Sequence, residues 1–275
     1  MIPALLGVTS FVAQGSVQDL GPPPPMVQIP AGVFKASVNL TNESAGAKDK
    51  KESDEVRISS FLIDRLPVTN AEFLLFVRKA PRWRRDRAPR LLVDSEYLAH
   101  WQTPLVLGAD VLPDQPVVNV GWFAARAYCA ARGGRLPTEA EWEYVASASE
   151  TQADARQDAS WRKRILDWYA VPTPKSLARV SHSSPNFFGV SDLHGLVWEW
   201  VLDFSSTMMS GDSRDSGGSD RMLFCGAAAI GSGTKQDYAS FMRYAFRSSL
   251  QARYSSRNLG FRCAADVTPT VEVKP

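Results

Sequence analysis

Residues 116–144 read PVVNVGWFAARAYCAARGGRLPTEAEWEY, and the fold class turns on them. Trp122–Arg132 spaces its apolar residues as a helix does and stops at Gly133-Gly134. Glycine takes the left-handed backbone that commonly ends a helix. A few residues later, Thr138-x-x-Glu141 forms a capping box behind Pro137. In such a box the hydroxyl accepts from the backbone N–H three residues on, and the carboxylate accepts from the threonine N–H. The helix it opens contains Trp142, Tyr144 and Val145.

Upstream, Val27–Phe34 and Val56–Ile63 alternate well enough to be strands, with Val56, Ile58 and Phe61 as core contacts. A second capping box, Thr69-x-x-Glu72, predicts a helix over Ala71–Lys79 with Phe73, Leu74 and Val77 facing inward. Downstream, Trp161–Trp168 reads as a short fourth helix. After Ser181 the chain turns to Gly, Ser and short apolar runs, which predict short strands and long loops. Helices gathered early and irregular strands late imply an α+β protein, not alternating βαβ units.

The 275 residues carry 31 Lys and Arg against 29 Asp and Glu, a net charge of +2. With 44% hydrophobic residues the chain is globular, not disordered. Acids balance the bases, so a nucleic-acid partner is not expected. Residues 2–13 are apolar and uncharged but too short to span a bilayer. They resemble the core of a signal peptide, and Ala13-Gln14-Gly15 offers a cleavage site, although Met1 runs directly into Ile2 without a basic region. Export, to the periplasm or beyond, is the expectation; an unstructured tail in a cytoplasmic protein is the alternative. Gly21 and Pro22–Pro25 form a stiff spacer. The expected organisation is a leader and Pro-rich linker over 1–25, a domain over 26–265 and a tail over 266–275. Residues 43–55 and Ser205–Ser219 read as exposed loops.

Familiar catalytic signatures are missing. His100, His182 and His194 stand in no zinc spacing, and there is no CxxC. The run Gly226–Gly233 echoes a phosphate loop, but Ser232 stands where its lysine belongs. Residues 78–90, RKAPRWRRDRAPR, hold seven basic residues in thirteen. They form either a patch for an acidic partner or a solvated loop with Trp83 packed on arginine stems.

Taken together, several runs resemble the formylglycine-generating enzyme family, the sulfatase-modifying factors. They are Met26–Phe34 (MVQIPAGVF), Phe61–Phe76, Pro116–Tyr144, Asn186–Trp200 (NFFGVSDLHGLVWEW) and Asn258–Ala264 (NLGFRCA), in that order over roughly residues 26–265. The resemblance implies one enlarged C-type-lectin-like domain, loop-rich with little regular secondary structure.

Members with the founding activity oxidise a sulfatase cysteine to formylglycine, using oxygen and a copper ion held by two cysteines. Soft thiolates suit Cu(I). In the family these cysteines lie five apart, upstream of a YRxxxR-like segment that is similar to Arg243-Tyr-Ala-Phe-Arg247 here. Counting back reaches about Thr234 and Ala239, and no cysteine lies between Cys225 and Cys263. The founding reaction and its copper are therefore not expected. The resemblance pairs Cys129 with Cys263 as a disulfide, with two buried thiols as the alternative. It leaves Cys225 over, beside the cleft, as a nucleophile, a metal ligand or a small core residue. Family members bind calcium partly through a GNVWEW-like turn. Here Leu196 replaces the Asn, while Glu199 remains as a candidate ligand. Whether calcium is bound stays open, and the cofactor is otherwise unknown.

Three functions follow from the resemblance. One is an exported accessory or maturation factor for a periplasmic redox enzyme, such as a copper nitrite reductase. Its cleft would hold a protein or peptide through Asp203, Arg243, Tyr244, Arg247 and Tyr254. The second is a ligand- or protein-binding pseudoenzyme. The third is an oxidoreductase or hydrolase rebuilt around Cys225, Ser232 or Asp237.

Overall fold

The computed structural model describes residues 24–35, 55–204 and 238–267. Both expected strands are present, but each breaks in two. The breaks give β1 (Met26–Ile29), β2 (Gly32–Lys35), β3 (Glu55–Ile58) and β4 (Phe61–Asp64). β1 pairs with β4 and β2 with β3, both antiparallel. The register runs on across the break, with Ile29 opposite Phe61 and Gly32 opposite Ile58. Pro30 has no N–H to give the ladder, so the ribbon must break there. The Ser60 hydroxyl straps the corner by donating to the Ile29 carbonyl at 2.8 Å.

β7 (Ala264–Asp266) joins the other edge of β4, so the last described strand lies beside one of the first. Helix α1 (Asn70–Lys79) opens on a complete Thr69–Glu72 capping box. α2 (Trp122–Ala131) ends at Gly133, whose φ is +77°. α3 (Glu139–Ala146) opens on the Thr138–Glu141 box. α4 (Ala159–Ala170) is capped by Asp158, whose carboxylate accepts from the Ser160 and Trp161 amides. β5 (Trp198–Glu199) and β6 (Leu259–Gly260) pair in parallel. Gly260 is required there, because a Cβ would stand 2.7 Å from the Val117 carbonyl oxygen.

One long element escaped the sequence reading. Tyr238–Ser248 forms helix α5, where short strands and loops are predicted. Its buried positions include Ser240, Arg243, Tyr244 and Arg247, spaced as one helical face. That face is mostly polar, so the apolar spacing of the segment does not mark the side that is buried.

Phe73, Phe76, Tyr128 and Phe261 form the aromatic centre of the core, all at most 3% exposed. Phe73 stacks on Tyr128 at 5.7 Å and meets Phe261 edge-on at 6.0 Å. Beside them, Cys129 and Cys263 are joined in a disulfide across 134 residues of sequence. Next to the bridge, Arg132 reaches both oxygens of Asp64 at 2.9 and 3.0 Å, and the Cys263 amide donates to the same carboxylate. The bridge and this buried pair tie the α2 end to the C-terminal strand. The result is the expected loop-rich α+β domain.

Candidate functional site

The expected cleft residues Arg243 and Arg247 do converge, and they meet partners that the sequence reading missed. They lie four apart on α5 and face Glu139 and Glu143, four apart on α3. Arg243 grips Glu143 with two hydrogen bonds, 2.7 and 2.6 Å long, and donates to Tyr169 Oη at 3.1 Å. Arg247 Nη1 reaches Glu143 at 3.0 Å and Glu139 at 3.2 Å. Both guanidiniums lie over the Trp142 ring, Arg247 at 4.3 Å and Arg243 at 5.6 Å. Matching four-residue spacings on the two helices are the one sequence signal that foretells this cluster.

Charge inside the cluster is unevenly divided. Burial alone would raise Glu143, but Arg243 and then Arg247 outweigh it and hold the group below its ordinary value. Glu139 has only a share of Arg247, so burial wins and pushes it up to about 8. Near neutral pH, Glu139 therefore keeps a proton while Glu143 is ionised. Asp203 does not join the pairs. Its Oδ1 accepts the Glu139 amide at 2.7 Å, in the first turn of α3. A carboxylate there complements the helix dipole.

His194 closes the cluster. Its Nε2 lies 2.8 Å from the Ala146 carbonyl, so that nitrogen carries the proton. Burial, helped by Arg243, pushes the imidazole down to about 3, and it is neutral. Its ring is edge-on to Trp142 at 5.8 Å and to Trp161 at 5.9 Å.

The remaining expectations fall as follows. Tyr244 is buried at 6% exposure, whereas Tyr254 lies on the surface at 44%. Glu199 is buried, and both its oxygens are spoken for. Arg262 donates to them at 2.8 Å each, and the Trp142 indole donates at 2.7 Å. The carboxylate is the counter-ion of Arg262, and three of its four lone-pair directions are already taken. Cys225, Ser232 and Asp237 lie outside the described residues. Among the described residues, no three His, Cys, Asp or Glu gather as a metal would need.

A groove runs beside the ion-pair cluster. Two hollows of about 380 and 410 Å³ share Trp168, His182 and Gly195 and so adjoin. Each lies in the size range of ligand pockets, roughly 300–1,000 Å³. α4 forms one wall through Trp161, Ile165 and Trp168, with Pro172 and Pro174 just beyond it. Tyr169 stacks on Trp198 at 5.0 Å, and Trp198 meets Phe246 of α5 at 4.3 Å. Through the Tyr169 hydroxyl the aromatic wall is bonded to Arg243, so groove and cluster form one structure.

Comparison with known proteins gives the family. A family model for the sulfatase-modifying factor enzyme 1-like domain matches residues 13–267. The chain belongs to the sulfatase-modifying factor family. The formylglycine-generating enzyme of Streptomyces coelicolor is 33% identical to this family member over 89% of its length and 90% of the relative. The inactive C-alpha-formylglycine-generating enzyme 2 of Mus musculus is 29% identical over 91% of this chain and 87% of that protein. Among solved structures, PvdO from Pseudomonas aeruginosa superposes with a TM-score of 0.49 and 20% identity, over 89% of this chain and 95% of the other.

The cysteine inventory limits which metal the chain could hold. The chain has three cysteines, and Cys129 and Cys263 are bonded to each other. A single thiol, Cys225, is left for any metal. The donor set therefore does not fit a copper ion held between two thiolates. The chain is a divergent sulfatase-modifying factor.

Proposed function

We propose that the protein is an exported accessory factor that holds an extended protein or peptide segment, with no formylglycine-forming chemistry of its own. The observation that carries this reading is the use made of two cysteines and two arginines. The disulfide takes up Cys129 and Cys263. Glu143 and Glu139 take up Arg243 and Arg247, which then brace the fold instead of facing a substrate. Such a domain keeps the family scaffold and a groove walled by aromatic side chains. Flat aromatic faces suit an extended polypeptide. A disulfide persists in oxidising compartments outside the cytoplasm, which agrees with export. The specific client we propose is an exported redox enzyme during its maturation, with a copper nitrite reductase as one example.

The test is maturation of such a client. A copper-containing exported reductase is co-expressed with this protein, with its Trp168→Ala variant, or alone. Client copper content and activity are then measured. The proposal requires full loading with the native chain and a deficit with the variant or alone. Equal loading in all three would refute it.

A further inference from the structure

We infer that the segment spanning residues 78–91 is a membrane-facing knob that binds anionic lipid headgroups. Its sequence holds seven of the chain's 31 basic residues and one of its 29 acidic ones. The remaining residues thus carry 24 bases against 28 acids, so the molecule is polar in charge even though its net charge is only +2.

Structure turns this run into a rigid display. Arg85 points inward and donates to the carbonyls of Leu98 and Trp101 at 2.8 and 2.9 Å. The Tyr97 hydroxyl donates to the Trp83 carbonyl at 2.7 Å. Tight backbone bonds from Arg87 and Ala88 to the Arg84 carbonyl, and from Leu92 to Pro89, fold the rest into consecutive turns. Among the described residues, the one ion pair of the segment joins Arg84 to Asp86. Arg78, Lys79, Arg82, Arg87 and Arg90 stand exposed around these anchors. Beside Arg90, Leu91 is 86% exposed, more than any other large apolar residue described.

An exposed apolar side chain beside five exposed cations that form no ion pair among the described residues matches a bilayer surface. Anionic headgroups attract the arginines, and the leucine enters the acyl boundary. An acidic protein would meet the same charges but would gain nothing from an isolated projecting leucine. Lone lysines or arginines are common on surfaces; here the half-buried Arg85 and the buried Tyr97 anchor a segment that carries five of them.

The experiment is co-sedimentation of the full chain with mixed phosphatidylglycerol–phosphatidylcholine vesicles and with pure phosphatidylcholine vesicles. Binding is expected only to the mixed vesicles and is expected to fade at high salt. Arg82→Ser, Arg87→Ser and Arg90→Ser should each weaken it about fivefold, and Leu91→Ser by about as much. All variants keep residues 2–13, so a loss in them belongs to the knob and not to that apolar run. Circular dichroism confirms that these exposed substitutions leave the fold intact. Undiminished vesicle binding by the variant that combines Arg82→Ser, Arg87→Ser and Arg90→Ser would overturn the inference. So would binding of poly-glutamate in place of vesicles, with Leu91→Ser having no effect, which would assign the knob to an acidic protein. A client-loading defect tests the groove separately, since Trp168 lies outside the knob.

Discussion

Glu199 and Arg262 face each other with both side chains wholly buried, joined by two hydrogen bonds of 2.8 Å. Such a pair gains little over an apolar pair, but removing one partner strands a charge away from water. Glu199→Gln is expected to cost about 3–5 kcal/mol, read by urea denaturation. The same geometry predicts that calcium does not stabilise the protein through Glu199: the shift in melting temperature caused by calcium should be the same in the native chain and in the Gln variant.

The α3–α5 cluster behaves likewise. Glu143→Gln leaves Arg243 and Arg247 without their shared anion and is expected to cost about 3–5 kcal/mol. Replacing Arg243 and Glu143 together by Met and Leu still strands Arg247, but the pair should cost less than the sum of the two single changes. A double-mutant cycle by chemical denaturation checks this.

How far the sequence foretells these pairs depends on their chemistry. Caps are local, so Thr69–Glu72 and Thr138–Glu141 are readable from four residues each, and α1 and α3 form where expected. The Arg243–Glu143 contact joins positions 100 apart. Its buried face is polar, so the apolar spacing of α5 does not point to Glu143 as its partner. Glu199 shows the converse. Its motif is legible, but the side chain's role depends on Arg262, which only the β5–β6 pairing brings near. Pro30 announces a break in the first strand, yet the continuity of register across it needed the fold.

Stability should fall on both sides of neutrality. Burial pushes His194 down to about 3 and His100 down to about 4. Unfolded histidine takes its proton near 6.5. The unfolded state thus binds more protons below that value, and stability is lost as pH falls from about 6.5 toward 4. Glu139 has the opposite sign. Its folded value is raised to about 8, above the ordinary carboxylate range, so its contribution is intact at low pH and is lost as pH rises toward 8. Thermal melts across this range should show a maximum near the middle. Glu139→Gln should flatten the alkaline side and steepen the acid side above about pH 4.5, where Glu139 opposes the histidines.

Reduction of Cys129–Cys263 opens a loop of 134 residues. On chain entropy the bridge contributes about 5 kcal/mol at most. Urea midpoints with and without reductant should differ accordingly, and the Cys129→Ala, Cys263→Ala variant should match the reduced protein. Alkylation of the unreduced, unfolded chain should label Cys225 alone.

The central claim is that this divergent sulfatase-modifying factor lacks the thiolate pair on which formylglycine formation depends. The direct test supplies the purified protein with Cu(I), oxygen, reductant and a sulfatase peptide carrying the modifiable cysteine, and follows the peptide by mass spectrometry. The account predicts that the peptide cysteine stays unchanged while the S. coelicolor relative converts it under the same conditions. Catalytic conversion of that cysteine to the aldehyde by this chain would contradict it.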